Sequence, residues 1–294
     1  MGTPTFAVES LDVINKSHHE VVGVITATDK PAGRGQKIQY SAVKEYALAN
    51  NLRLLQPPNL KAEEFVEELK SLQADLFVVV AFRMLPAIVW QMPSKGTINL
   101  HGSLLPQYRG AAPINWAIMN GEKVSGATTF FIEEKIDTGN IIDSVEVAIG
   151  ADMTAGELHD ELMVKGASLL LHTINDIENN KAVGKPQDID NKEIKKAFKI
   201  FKDTCAINWS KSAEEIHNLI RGLSPYPAAH TIISINEKPL STKIYRSAIS
   251  SLPPLEIGEI NTDFKNFLEI GTSTGNVSIL ELQLAGKKRM DIKA

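Results

Sequence analysis

Ala74-Asp-Leu-Phe-Val-Val-Val-Ala81 is a short run dominated by apolar, β-branched residues, the composition of a strand buried on both faces of a parallel sheet. Three further stretches share that character: Glu20-Val-Val-Gly-Val-Ile-Thr-Ala-Thr28 upstream, and Gly96-Thr-Ile-Asn-Leu-His101 and Ala127-Thr-Thr-Phe-Phe-Ile132 downstream. Ser41 to Asn50 and Lys61 to Leu72, lying between them, have helical spacing; in the second, Phe65, Leu69 and Leu72 fall at i, i+4 and i+7. Strand and helix in alternation predict an α/β domain with a mostly parallel sheet covered by helices on both faces.

Outward from this core, Thr154-Ala-Gly-Glu157 reads as a capping box. It opens a long amphipathic helix carrying Leu158, Leu162, Leu169 and Ile177, which should close a first domain of residues 1–180. Residues 181–208 read as a basic linker. Lys192, Lys195, Lys196, Lys199 and Lys202 recur there at near-helical spacing, with Phe198 and Phe201 interleaved. Two readings stand side by side: a solvated, partly helical connector, or a patch that meets phosphates. Residues 209–294 change style. A helix from Ser212 to Arg221 opens with a second capping box, Ser212-Ala-Glu-Glu215. Short strands follow at Ala229–Ile235, Leu240–Tyr245, Ile257–Ile260 and Asn276–Leu284, predicting a small β-barrel or sandwich.

The 294 residues are 43% hydrophobic and 22% charged, ordinary for a globular protein and too apolar for a disordered one. No run of about 18 apolar residues offers a membrane span, and no membrane partner is expected. The single cysteine, Cys205, excludes an internal disulfide and a multi-cysteine zinc site. With no charged-then-apolar leader, a reducing cytoplasm is the expected compartment. The net charge of −4 argues against a globally basic nucleic-acid binder. Yet residues 181–202 hold 7 lysines and 3 acids, while residues 1–180 carry a net −8. A polyanion would be attracted locally.

Asn99 and His101 lie two apart on a predicted strand, so both side chains share one face, with Leu100 opposite. They sit at the strand's carboxyl end, where open α/β sheets place ligands. The following loop, Gly102-Ser-Leu-Leu-Pro-Gln-Tyr-Arg-Gly-Ala-Ala-Pro-Ile114, carries leucines where a tether would be polar, and reads as a pocket wall. Asp137-Thr-Gly139 could orient His101 and stabilise its charged form. An aspartic-protease reading fails because Ser273-Thr-Gly275 supplies no second carboxylate. Gly271-Thr-Ser-Thr-Gly275 precedes a strand and makes no nucleophile elbow. Gly33-Arg34-Gly35 is no dinucleotide fingerprint. The histidines lack metal-ligand spacing, so no metal is expected.

Met1-Gly-Thr-Pro-Thr-Phe-Ala7, Asp29-Lys-Pro-Ala-Gly-Arg-Gly35, Asn99-Leu-His-Gly-Ser-Leu-Leu-Pro106, Tyr108-Arg-Gly-Ala-Ala-Pro-Ile114 and Asp137-Thr-Gly139 together resemble the methionyl-tRNA formyltransferases over nearly the whole chain. The resemblance implies a Rossmann-like formyltransferase domain with a C-terminal, OB-like β-barrel. It also implies formyl transfer from 10-formyltetrahydrofolate to the α-amino group of initiator methionyl-tRNA in translation initiation. By motif, it assigns catalysis to Asn99, His101 and Asp137, and the folate co-substrate to Ser103, Leu104, Leu105 and Pro106. It further implies that Phe82, Met84 and Leu85 border the pterin pocket, and that Pro31 to Gly35 would enter the tRNA acceptor end, with Arg34 and Lys37 serving it. Lys195, Lys196 and Lys199 of the linker, with Lys287, Lys288 and Arg289, are expected to track tRNA phosphates. The family has an apolar strand just before Gly-Thr-Pro, where this chain has only Met1; the expectation is a sheet short of one central strand. Relatives also continue briefly past Ala294. A monomer is expected. Two rivals are a 10-formyltetrahydrofolate enzyme acting on a nucleotide-linked amine, and a non-catalytic RNA-binding relative.

Overall fold

The computed structural model describes residues 1–32, 37–188, 193–235 and 238–293. They form two compact units. The first comprises Met1–Arg109, Gly126–Glu146 and Asp160–Lys195; the second comprises Gly110–Ser125, Val147–His159 and Lys196–Ala294.

In the first unit, the strand Phe77–Val80 runs parallel to Thr97–His101, with Val79 opposite Asn99. Thr97–His101 pairs antiparallel with the strand Val124–Phe131, placing His101 opposite Thr128. The strand Ile141–Ala148 lies beyond. The sheet is therefore parallel on one side of Thr97–His101 and antiparallel on the other. The apolar run at Glu20–Thr28 narrows to a strand at Val24–Ile25, parallel to Leu54–Leu55. On one face Ile25, Phe65, Leu69, Phe77, Val79 and Val89 form a core cluster. Leu100 turns to the helix Ala155–Glu178, where Gly166 leaves it room. Among the described residues no helix is long and apolar enough to cross a membrane.

Met1 and Gly2 lie between Val24–Ile25 and Phe77–Val80. Gly2 N–H donates to Ile25 O (3.0 Å), and Val80 N–H donates to Met1 O (2.9 Å). The Met1 amino group donates to Val78 O at 2.7 Å. Behind them opens a cavity of about 660 Å³, with Leu11, Ile14, Leu69, Leu72 and Ile174 in its wall. The Ser10 hydroxyl, also in that wall, is buried and makes no hydrogen bond.

The second unit centres on the helix Ala213–Leu223, whose capping box is formed as the sequence predicts: Ser212 Oγ accepts from Glu215 N and the Glu215 carboxylate accepts from Ser212 N. Its apolar face packs Ile216, Ile220 and Leu223 against Ile244, Val277 and Ile279. The antiparallel sheet runs in the order Ala229–Ile235, Lys238–Ile249, Gly275–Leu284, Leu268–Thr272, Ile260–Thr262, with Met290–Asp291 also on Gly275–Leu284. It curls as a half-barrel. The described lysines of this stretch, Lys195, Lys196, Lys199 and Lys202, do not lie on a helix; Lys192 lies outside the described residues. Lys196–Ala197 is extended and Asp203–Cys205 is a single 3-10 turn. Their spacing mimics a helical stripe, but Ala197 and Cys205 are the buried residues, the first carried inward by extended backbone and the second by the 3-10 turn.

Candidate active site

Asn99 and His101 project from one face of the strand Thr97–His101, as the alternation predicts. Asp137 comes from the turn between Val124–Phe131 and Ile141–Ala148, closed by the Phe131 N–H to Asn140 O bond at 3.0 Å. The turn brings Asp137 Oδ2 to 3.9 Å from His101 Nδ1, with side-chain exposures of 11% and 7%. That separation is ion-pair range and longer than a hydrogen bond. The other ring nitrogen, Nε2, lies 2.9 Å from Tyr108 O. A carbonyl only accepts, so Nε2 carries a proton and Nδ1 is the nitrogen turned toward Asp137. The Asn99 Oδ1 is buried and lacks a hydrogen-bond partner. An enclosed acceptor left open costs stability, and a donor from a bound molecule fits it.

Two backbone outliers hold this geometry. Tyr108 has φ 59° and Asp137 φ 54°, both in the left-handed region that non-glycine residues seldom occupy. Gly139 permits the turn: a Cβ there would stand 1.7 Å from Phe131 O. A clamp unseen in the sequence secures it from outside. Gln187 Nε2 donates to Asp137 O (2.9 Å) and Gly139 O (2.8 Å). Its Oε1 accepts from Arg109 Nε at 3.0 Å and Nη2 at 2.5 Å. Gln187 lies in the stretch read as linker, and a lone glutamine there gives no signal. Arg109 stands inside the Tyr108-Arg-Gly motif, which marks it only as part of a pocket wall.

The loop after His101 is pinned as a wall. Ser103 Oγ donates to Gln107 O (2.7 Å), Thr128 Oγ1 donates to Ser103 O (2.7 Å), and Leu105 N–H donates to Thr128 Oγ1 (3.2 Å). Ser103 and Leu105 are buried, Leu104 and Pro106 partly so. In the segment after Phe77–Val80, Leu85 is buried, Phe82 is half-buried and Met84 is exposed.

The basic residues have different settings. Arg34 lies outside the described residues; Lys37 lies in the short strand Lys37–Gln39. Lys195, Lys196, Lys199, Lys287 and Lys288 are exposed. Arg289 differs: it pairs with Glu281 and lies over the Tyr245 ring, 4.2 Å from its centroid. Its charge is largely compensated within the second unit.

Comparison with known proteins gives a consistent picture. Residues 1–174 match the model for formyl transferase, and residues 199–294 match that for the formyl transferase C-terminal domain. The methionyl-tRNA formyltransferase of Flavobacterium johnsoniae is 56% identical over 293 residues, covering 99% of this chain and 92% of that protein. That of Bacteroides thetaiotaomicron is 50% identical, covering 99% and 91%. Among solved structures, WlaRD, a sugar 3N-formyl transferase crystallised with dTDP and 5-N-formyl-THF, superposes with a TM-score of 0.68 at 27% identity. An N-formyltransferase from Helicobacter canadensis, in complex with folinic acid and dTDP-3-aminofucose, superposes with a TM-score of 0.69 at 26% identity. Each covers 98% of this chain, and 97% of the solved chain is matched.

Proposed function

The chain belongs to the formyl transferase family, and we propose that Asn99, His101 and Asp137 carry its reaction. It transfers a formyl group from formyl-tetrahydrofolate to the α-amino group of initiator methionyl-tRNA, for translation initiation. The observation that carries this reading is identity above one half to a methionyl-tRNA formyltransferase over 99% of the chain. Identity to the sugar-modifying enzymes is half that, which sets the nucleotide-linked amine aside.

When bound, the folate supplies an electrophilic formamide carbon and an amine nitrogen that departs with a proton. The chain's part is to hold charge and move protons. Asn99 Oδ1, enclosed and unsatisfied, accepts from the incoming amine; the same carboxamide's NH2 donates toward the oxygen that gains charge. His101 is held by Tyr108 O through Nε2, so its Nδ1 is the working nitrogen. Protonated there, it donates to that oxygen, while the Asp137 carboxylate stabilises the imidazolium. Asp137 then takes the proton released by the attacking amine, directly or through water, and that same proton passes on to the departing nitrogen as its bond to the formyl carbon breaks. No covalent enzyme intermediate is required, because an amine attacks a formamide without help from a second nucleophile.

In this reading the Ser103–Pro106 wall, with Phe82, Met84 and Leu85, borders the pterin. Lys195, Lys196, Lys199, Lys287 and Lys288 meet tRNA phosphates, Arg34 and Lys37 serve the acceptor end, and Arg289 contributes less because Glu281 holds it. The working compartment is the cytoplasm. Residues 1–180, 181–208 and 209–294 act as catalytic, connecting and tRNA-binding segments.

The direct test offers formyl-tetrahydrofolate with either methionyl initiator tRNA or a nucleotide-linked amino sugar. Formylation of the tRNA alone is expected; formylation of the sugar alone overturns the reading. A second test concerns Gln187. Its replacement by alanine should lower kcat by about tenfold to a hundredfold, because Asp137 loses the clamp that sets its position. KM for both substrates should stay within about twofold. An unchanged kcat would remove Gln187 from the positioning of Asp137.

A further inference from the structure

We propose that Phe198 and Phe201 form a stacking platform for unpaired bases of the tRNA, with Lys196, Lys199 and Lys202 on the adjoining phosphates. The proposal rests on the tRNA reading above and goes beyond it, since it assigns a contact to bases rather than to backbone.

The two rings are 62% and 61% exposed. A single exposed phenylalanine is unremarkable, but here the burial pattern runs against the local sequence. Within Phe198-Lys-Ile-Phe201, it is Ile200 that packs against the core of the second unit. Both aromatic rings, which would bury more area, are left in water. The backbone beneath them is fixed, so the exposure is built in. Trp116 Nε1 donates to Phe198 O at 2.7 Å, and the Trp116 ring meets Phe198 edge-on, with centroids 6.3 Å apart and planes at 81°. The Cys205 thiol donates to Phe201 O at 3.3 Å, and Phe201 N–H donates to Thr204 Oγ1 at 3.4 Å. Ala111 N–H donates to Ala197 O at 2.7 Å.

Charge identifies the occupant. From Lys195 to Cys205 the chain holds four lysines against one acid, Asp203. Lys196, Lys199 and Lys202 are exposed, and Lys199 Nζ lies 5.6 Å from the Phe201 ring centroid. Cations interleaved with presented aromatic faces are the arrangement that single-stranded nucleic acid fits. Phosphates meet the cations, and bases, each with its own π face, lie on the rings. A paired base is already stacked on both sides and has no face to offer. The platform therefore selects unpaired nucleotides, and it adds affinity that salt does not screen.

The test measures binding of the full chain to initiator tRNA across about 50 to 200 mM salt. Phe198→Ala and Phe201→Ala are each expected to raise Kd about five- to a hundredfold, equally at every salt concentration. Phe201→Leu should lose as much as Phe201→Ala, whereas Phe201→Trp should bind at least as well as the native chain. Lys199→Ala should instead flatten the slope of log K against log salt by about 0.7 to 0.9. Independently of any variant, single-stranded RNA should displace tRNA better than a duplex of equal length. The proposal is overturned if the double alanine variant binds within about twofold of the native chain, if Phe201→Leu binds normally, or if duplex competes equally. Failure of the native chain to bind tRNA at any salt would instead overturn the tRNA reading itself.

Discussion

His101→Ala is expected to lower kcat/KM for formylation of methionyl-tRNA by about a thousandfold, near the upper end for loss of one oxyanion donor. The imidazole does more than donate. Its Nε2–H is bonded to Tyr108 O at 2.9 Å, so alanine also leaves a carbonyl without its donor and frees a loop held at φ 59°. Asn99→Ala should fall within about a hundred- to a thousandfold, because it removes one donor and one acceptor with less disturbance. Combining the two should cost far less than the product of the single losses, since both serve the same developing charge. Asp137→Asn keeps the turn's shape but removes the charge facing Nδ1; a large loss there, with unchanged folding, separates electrostatics from packing. Single-turnover rates with saturating folate provide the measurement. If His101→Ala turns over within about tenfold of the native rate, His101 is not part of the chemistry.

The cavity behind Met1 carries the second large effect. Five apolar, β-branched residues fused ahead of Met1 are expected to raise the Tm by about 10 °C. The Met1–Gly2 ladder already sets the register between Val24–Ile25 and Phe77–Val80. Continued backward, an extended segment would meet Gly23 and Val22 on one side and Val78 and Leu76 on the other. Two or three of its side chains would enter the cavity, each contributing about 1.5–3 kcal/mol when fully buried. For a domain of this size, each kcal/mol is worth about 2–4 °C. Thermal melts of the native and fused chains decide it: no gain in Tm would mean the cavity does not accept a strand.

The same contrast marks what was readable in the chain. Asn99 and His101 share a face because a strand's period is two, and that follows from sequence alone. Both capping boxes follow from a four-residue pattern. The strand Ile141–Ala148 is less legible than the others because Asp143, Ser144 and Glu146 interrupt its apolar residues and only Val147 is buried, so it lacks the continuous apolar run of a strand covered on both faces. The near-helical spacing of Lys195, Lys196, Lys199 and Lys202 misleads, because spacing alone cannot tell a solvated stripe from extended backbone and a short turn.

By itself, the order of residues determined the local conformations, the pairing of an amide and an imidazole on one strand, and the family's formyl-transfer chemistry through its motifs. Only the tertiary structure decided which imidazole nitrogen faces Asp137, how far Asp137 stands from it, and that Gln187, 50 residues away, holds that turn. The reason is range. Period and capping act within a few residues and are written in the chain, whereas a 3.9 Å approach between distant segments is set by how every intervening element packs.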